Sequence, residues 1–296
     1  MDQKIPPVAL RDGNLMPQLG LGTRQFSADD SQRIVTGAIA AGYRAFDTAR
    51  DYASEAAIGY AIRDSGMART EFSVTTRLRA GAQRRDAVLR SFDESMTALD
   101  LEQIDLLLLQ WPLPEADTLV EAWTILAELQ QQGHARSIGV SNFDRVHIEQ
   151  IIAATGVTPA VNHLELHPYF QQRDVRGFHQ RRGIRIASWA PLGPGTPASA
   201  SWWSEGQPLL ANLMTDTAIA ALAAKHERSP AQIVLRWHLQ EGLLVSPRTV
   251  TPARLEENIA IGDFTLDAED MYRIEAIDRP DQGRMGPDPK HWRPVA

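Results

Sequence analysis

The sequence predicts an α/β fold in which eight parallel strands and their connecting helices close into a (β/α)8 barrel. Short apolar runs alternate along the chain with segments of helical period, and eight runs of the first kind occur. The runs are apolar throughout, which is typical of parallel strands covered on both faces. A doubly wound open sheet would give the same alternation and is the alternative at this point.

The predicted strands follow one another from residue 19 onward. Segments of helical period lie between most of them, and residues 85–99, for example, place Val88, Phe92 and Met96 on one face at a spacing of four. The strands are predicted within residues 19–23, 45–49, 72–78, 104–111, 137–142, 160–166, 184–192 and 243–248.

Three segments fall outside this alternation. Residues 8–19, VALRDGNLMPQL, predict an N-terminal β-hairpin that turns at Asp12-Gly13 and plugs the bottom of the barrel. Residues 193–213 are rich in Gly, Pro and Ser and predict a long excursion between the seventh and eighth strands. The tail after Arg279 holds four prolines and two glycines. No linker divides the chain, so we expect one domain over residues 1–296.

Composition and charge exclude several classes of function. The formal charge of −7 and the pI near 5.6 argue against a nucleic-acid partner, which requires a basic face. No apolar run is long enough for a membrane span, and the start MDQKIPPVAL lacks the apolar core of a signal peptide, so we expect a cytoplasmic protein. The absence of cysteine excludes disulfides and cysteine nucleophiles.

Polar residues close three of the predicted strands. Asp47 ends the second strand, Arg77 lies near the end of the third, and Gln110 closes the fourth, while Tyr52 lies five residues beyond Asp47. Catalytic groups of a barrel lie at these carboxyl ends, so the four residues should converge. A cation beside a phenol lowers its pKa and favours a general acid. The alternative is an ordinary ion pair at the rim with a loop aromatic beside it.

The last strand leads into a helix that begins with arginines. Residues 244–259, LVSPRTVTPARLEENI, place Arg248 before the helix and Arg254 in its first turns. Backbone amides at a helix N-terminus and guanidinium groups both attract phosphate, so a phosphorylated ligand is expected here. A capped surface helix with solvated arginines is the alternative.

Taken together, these segments resemble the aldo-keto reductases, and among them the bacterial small-carbonyl and keto-acid reductases. The resemblance implies a triosephosphate isomerase (TIM) barrel that binds NADPH without a Rossmann domain and transfers hydride from C4 of the nicotinamide to a carbonyl. It is carried, in order, by GYRAFDTARDYASE (42–55), IDLLLLQWP (104–112), IGVSNF (138–143), VNHLELHP (161–168), WAPLG (189–193), AQIVLRW (231–237) and residues 244–259.

The resemblance also implies roles for individual residues. Asp47 and Tyr52 match the aspartate and the tyrosine acid of the family's catalytic residues. Ser141 and Asn142 match the pair that binds the nicotinamide amide, and Trp189 matches the aromatic ring that stacks on the nicotinamide. The positions that match those holding the 2′-phosphate and adenine are Arg248, Arg254, Glu257 and Asn258, with Ser246 nearby.

Three positions depart from the family's pattern. Arg77 stands where the family usually has lysine, Gln110 where it has histidine, and His163 where it has the glutamine of the nicotinamide site. A guanidinium can still pair with Asp47, although it is planar and differently aimed from an ammonium. The Gln110 amide can donate a hydrogen bond but cannot titrate.

His163 admits three interpretations. It fills the glutamine's place beside the nicotinamide, or it supplies the imidazole that is missing at Gln110. With Glu165 and His167 it also forms a row of potential metal ligands at period two. We favour the first interpretation and expect no metal, because His167 lies at the rim before Pro168.

The predicted mouth of the pocket is cationic. Arg24 follows the first strand and Arg79 the third, Arg50 lies in the loop before Tyr52, and Trp111 follows Gln110 as a further pocket residue. Such a mouth would attract an anionic substrate. The alternative is that these arginines are solvated or paired with neighbouring acids.

The sequence therefore predicts an NADPH-dependent oxidoreductase that reduces a carbonyl, imine or enone of a small molecule, with Tyr52 as proton donor. A barrel that binds NADP(H) but has lost carbonyl reduction, and serves as a non-redox enzyme or a sensor, is the alternative. We expect a monomer.

Overall fold

A computed structural model describes residues 5–78, 84–112, 116–193 and 212–290. Eight strands form one sheet in which each strand pairs in parallel with the next one along the chain. The strands are β3 Leu21–Gly22, β4 Ala45–Asp47, β5 Ser73–Arg77, β6 Ile104–Leu109, β7 Ala135–Ser141, β8 Val161–Glu165, β9 Arg185–Trp189 and β10 Leu244–Val245.

The first and last strands of this sheet meet and close the barrel. Parallel bridges join Leu19 to Val245 and Gly22 to Arg248. Gly22 permits the approach, because a Cβ at this position would lie 2.6 Å from the Ser246 carbonyl oxygen. The predicted (β/α)8 barrel is thus confirmed, and the open sheet is excluded.

The N-terminal hairpin covers the bottom of the barrel, as predicted. Strands β1 Val8–Ala9 and β2 Leu15–Met16 pair in antiparallel fashion, and Gly13 in the turn has a φ of +86°. Leu10 and Met16 are buried in one apolar cluster with Leu106 and Leu108 from the barrel interior.

Helices surround the barrel and bury their apolar faces against it. The apolar face predicted for residues 85–99 is confirmed, because Val88 and Phe92 are buried and Met96 packs against the same core. The helices are α1 Ala28–Ala40, α2 Glu55–Asp64, α3 Arg85–Leu99, α4 Ala116–Gln131, α5 Arg145–Thr155, α6 Arg173–Arg181, α7 Thr217–His226, α8 Pro230–Gln240, α9 Pro252–Ile259 and α10 Ala268–Glu275.

The excursion predicted over 193–213 lies almost wholly outside the described residues. It is followed by a pair of helices, α7 and α8, before β10.

Within the described ranges, no helix is long and apolar enough to cross a membrane.

A histidine buried beneath the barrel's outer wall makes stability sensitive to acid. His238 on α8 is fully buried, with Nδ1 2.8 Å from the Val234 carbonyl oxygen and Nε2 3.2 Å from Ser188 Oγ. Burial lowers its pKa to about 4. Below pH ~6.5 the unfolded chain therefore takes up a proton that the folded chain does not, so stability is lost as the pH falls from ~6.5 toward ~4.

Between pH 7.5 and pH 5, we expect the free energy of unfolding to fall by about 2 kcal/mol less in His238→Gln than in the wild type. Urea unfolding at both pH values measures this difference. The wild type should still be the more stable protein at pH 7.5, because glutamine fills the site less well. His134→Gln, at an exposed position, is the control and should keep the wild-type dependence on pH. An unchanged dependence in His238→Gln would contradict the assignment.

Candidate active site

Asp47 and Arg77, the last residues of two neighbouring strands, form a buried ion pair. Arg77 Nη2 donates to Asp47 Oδ1, and the two side chains are only 5% and 15% exposed. Arg77 Nε also donates to the Thr48 carbonyl oxygen at 3.2 Å, and Nη1 lies 2.8 Å from His163 Nδ1. Burial raises the pKa of Asp47, and the Arg77 guanidinium opposes that shift. The structure thus brings together the pair that the sequence placed at adjacent strand ends.

Tyr52 lies in the loop between β4 and α2, half-buried beside this pair. Burial raises the pKa of its phenol, while the charge of Arg77 pulls the pKa back down and that of Asp47 pushes it up. The expectation of a lowered phenol pKa was therefore wrong, because desolvation outweighs the neighbouring cation. The phenol is consequently protonated at neutral pH.

A chain of buried hydroxyl groups fixes this loop, and the sequence reasoning missed it. Thr23 Oγ1 lies 2.7 Å from Ser54 Oγ, which lies 2.9 Å from Thr48 Oγ1. Thr23 also donates to the Asp47 carbonyl oxygen at 2.9 Å. All three hydroxyl residues are fully buried. Single hydroxyl residues scattered over two loops give no signal at the level of sequence.

Gln110 follows directly after β6, as predicted, and carries an orphaned acceptor. Its Oε1 is buried, and no donor in the described part of the chain reaches it. A buried acceptor without a partner costs roughly 1–3 kcal/mol. Trp111, the next residue, is partly buried.

The residues matched to a nicotinamide site lie at the ends of β7, β8 and β9. Asn142 has a left-handed backbone with a φ of +63°, and its Oδ1 accepts a hydrogen bond from Trp189 Nε1 at 2.8 Å. Ser141 Oγ donates to the His163 carbonyl oxygen at 3.1 Å. His163 itself is buried, and burial and Arg77 hold the pKa of its imidazole well below its usual range.

The end of β10 and the start of α9 carry the predicted phosphate residues. Arg248 is exposed, donates from Nε to the Arg24 carbonyl oxygen at 2.7 Å, and lies over the Phe26 ring. Arg254 is exposed in the first turn of α9, whose N-cap residue Thr251 makes no side-chain cap bond. Arg248 before α9 and Arg254 in its first turn therefore flank one helix N-terminus, where backbone amides favour an anion.

The other residues assigned to this end of the cofactor are more buried than Arg248 and Arg254. Glu257 accepts a hydrogen bond from Ser229 Oγ at the N-terminus of α8, and Asn258 is buried. Ser246 is half-buried and lies against Gly20 on the inner side of the barrel. The contact with Ser229 gives Glu257 a structural partner that the sequence did not reveal.

The predicted cationic mouth is only partly assembled. The Arg24 side chain is exposed, and its charge acts on Tyr52, Arg77 and Arg248. Arg50 instead forms an ion pair with Glu94 at 2.9 Å, which matches the alternative of pairing with an acid. Arg79 lies outside the described residues.

The tail after residue 279 is held to the barrel by Glu165. This fully buried carboxylate accepts hydrogen bonds from the backbone amides of Met285 at 2.5 Å and Gly286 at 2.8 Å. A Cβ on Gly286 would lie 2.5 Å from the Trp189 ring, so the tail packs directly on that indole. Among the described residues, no three metal-ligating side chains lie close enough together to hold an ion. The Glu165 carboxylate instead binds the backbone of the tail.

A closed barrel with a buried acid–base cluster at its carboxyl ends defines an enzyme of the (β/α)8 class. A sequence model of the aldo/keto reductase family matches residues 16–279. The chain is 40% identical over 285 residues to an aldo-keto reductase of Mycobacterium sp. (strain JLS), covering 96% of this chain and 97% of the relative. It is 40% identical over 288 residues to the methylglyoxal reductase DkgA of Escherichia coli (strain K12), covering 96% and 97%.

Solved structures agree. Apo Gox0644 superposes with a TM-score of 0.86 at 44% identity, covering 96% of this chain and 97% of that one. A Gox0644 mutant in complex with NADPH gives a TM-score of 0.87 at 42% identity, covering 97% and 98%. The chain belongs to the aldo/keto reductase family, and the resemblance seen in the sequence is confirmed.

Proposed function

We propose that this protein reduces the carbonyl group of a small, acid-bearing molecule with NADPH, using Tyr52 as the proton donor. Membership of the family makes the chain an NADPH-dependent oxidoreductase. The observation that carries the finer proposal is the buried pair of Asp47 and Arg77, whose charges act on the Tyr52 phenol.

The residues at the barrel mouth fit this cofactor. The N-terminus of α9 together with Arg248 and Arg254 would hold the 2′-phosphate, and Ser141, Asn142 and Trp189 would hold the nicotinamide. When bound, NADPH supplies the hydride.

Residues of the chain itself then carry out the proton transfer. Tyr52 is protonated at neutral pH and can give its proton to the carbonyl oxygen as negative charge develops there. The positive charge of Arg77 favours the phenolate that this leaves behind. The amide nitrogen of Gln110 can orient the carbonyl by donating a hydrogen bond to its oxygen.

Arg24 supports an anionic substrate, because its positive charge lies within electrostatic reach of Tyr52. We expect Arg24→Ala, and likewise Arg79→Ala, to raise the KM for a keto acid about tenfold, with little change for a neutral aldehyde of the same length. Arg11→Ala, at the opposite end of the barrel, is the matched control. An unchanged KM for the keto acid in both variants would remove the acid-bearing substrate from the proposal.

Turnover separates this proposal from a barrel that only binds the nucleotide. NADPH consumption is measured with aldehydes, keto acids, enones and cyclic imines, and NADPH binding is measured in parallel. Binding without turnover of any substrate class would favour the non-redox alternative. A large gain on simple aldehydes in the double variant Arg77→Lys with Gln110→His would indicate that the native residues disfavour simple aldehydes.

One observation favours an imine as a second candidate acceptor. Gln110 stands where the family usually has histidine, and the reduction of an imine does not require the geometry of that histidine. Faster turnover of a cyclic imine than of the keto acid of equal size would identify this acceptor.

A further inference from the structure

Arg77 joins two walls of the barrel that are not neighbours. It ends β5, while His163 lies on β8, and β6 and β7 separate these strands in the sheet. Nη1 of Arg77 nevertheless lies 2.8 Å from His163 Nδ1, while Nη2 contacts Asp47 on β4. The guanidinium therefore spans the barrel interior from β4 to β8.

The direction of the contact with His163 follows from its chemistry. A guanidinium carries only donors, so His163 Nδ1 must accept, and the ring proton resides on Nε2. Nε2 lies 3.9 Å from Asp47 Oδ2, which is beyond hydrogen-bonding distance. His163 is thus a neutral acceptor that is engaged by Arg77.

The contacts use all three nitrogens of Arg77. Nε donates to Thr48, Nη1 to His163 and Nη2 to Asp47. Because the guanidinium is planar, three acceptors on three sides fix both its position and its plane. Without the acceptor on β8, a buried N–H group would lose its partner and the guanidinium would turn to find another.

We propose that His163 is a positioning residue that holds the Arg77 guanidinium in the plane from which its charge acts on Tyr52. This role rests on the proposed function of Tyr52 as the acid, and it differs from a contact between His163 and the nicotinamide. A single lysine nitrogen at position 77 could not span the two acceptors as a guanidinium fork does. The residues at 77 and 163 therefore act as one unit.

Two substitutions of nearly equal shape test this role. His163→Asn keeps an acceptor oxygen where Nδ1 stood, whereas His163→Leu removes the acceptor. With NADPH and substrate saturating, we expect kcat to fall about 10-fold to 100-fold in His163→Leu and to stay within about threefold in His163→Asn. The Kd for NADPH should change less than about twofold in both. Equal losses of kcat, or a change in the Kd for NADPH alone, would overturn the proposal.

A double-mutant cycle adds a second readout. Arg77→Lys should lower kcat strongly in the wild-type background and little further in the His163→Leu background, because the shared interaction is already lost. Additive effects would overturn the proposal. His179→Gln is the matched control: this buried histidine also lies 2.9 Å from a side-chain nitrogen, that of Asn162, and its loss should leave kcat unchanged.

Crystal structures make the test independent of turnover. In His163→Leu the Arg77 guanidinium should leave its plane against Asp47, and in His163→Asn it should stay. An unmoved guanidinium in His163→Leu would overturn the proposal even if the wild type turns over no substrate. Absence of turnover in the wild type would count against the proposed function instead.

Discussion

Tyr52→Phe is expected to lower kcat for carbonyl reduction about 10³-fold while leaving the Kd for NADPH unchanged. The substitution removes only the hydroxyl group, so the ring still fills the space beside Asp47 and Arg77. Loss of a positioned general acid costs ~10²-fold to 10⁴-fold in rate, and no other phenol lies in this loop. Single-turnover kinetics with bound NADPH would measure the loss at the chemical step.

Tyr60→Phe, at an exposed position on α2, is the matched control and should keep the wild-type kcat. A kcat near the wild-type value in Tyr52→Phe would place the proton donor elsewhere. The dependence on pH gives a further check. Because burial raises the pKa of Tyr52, reduction should persist until the pH passes that raised value. The lowered pKa of His163 predicts no loss of rate near ~6.5, the ordinary pKa of histidine.

The second large effect concerns the choice of cofactor. We expect the double variant Arg248→Ala with Arg254→Ala to raise the Kd for NADPH about 100-fold and to leave the Kd for NADH nearly unchanged. A hydrogen bond to a charged group contributes about 1.5 kcal/mol or more, which is roughly tenfold for each arginine that meets the 2′-phosphate. Fluorescence titration with both dinucleotides measures the ratio directly.

Single variants separate the two arginines. Arg248 also donates to the Arg24 carbonyl oxygen, so Arg248→Ala should additionally raise the substrate KM, whereas Arg254→Ala should not. Arg273→Ala, at an exposed position on α10, serves as the control. An unchanged preference for NADPH over NADH in the double variant would mean that the 2′-phosphate binds elsewhere.

The order of the barrel strands was predictable because each strand is locally encoded. A buried parallel strand must be apolar throughout, and a surface helix must repeat its apolar face every three to four residues. Each of these two patterns is contained within a short stretch of sequence, so it can be recognised without knowledge of the tertiary contacts. Even the short strands β3 and β10 were found, because each lies within an apolar run, residues 19–23 and residues 243–248.

The site was predictable only where position along a strand decided it. Asp47 and Arg77 end adjacent strands, so their contact follows from the topology. The contact between Arg77 and His163 crosses the barrel and depends on the length and rotation of one side chain. The direction of the Tyr52 pKa shift depends on how deeply the loop is buried. Neither the contact across the barrel nor the depth of burial of the loop can be deduced from the spacing of residues in the sequence.

Glu165 ties the assembly of this pocket to the timing of synthesis. The backbone amides that it holds belong to Met285 and Gly286, and Gly286 forms the surface on which Trp189 rests. A nascent chain therefore cannot complete this wall until residue 286 has left the ribosome. Until then the Glu165 carboxylate lacks the two backbone amides that it binds in the folded protein.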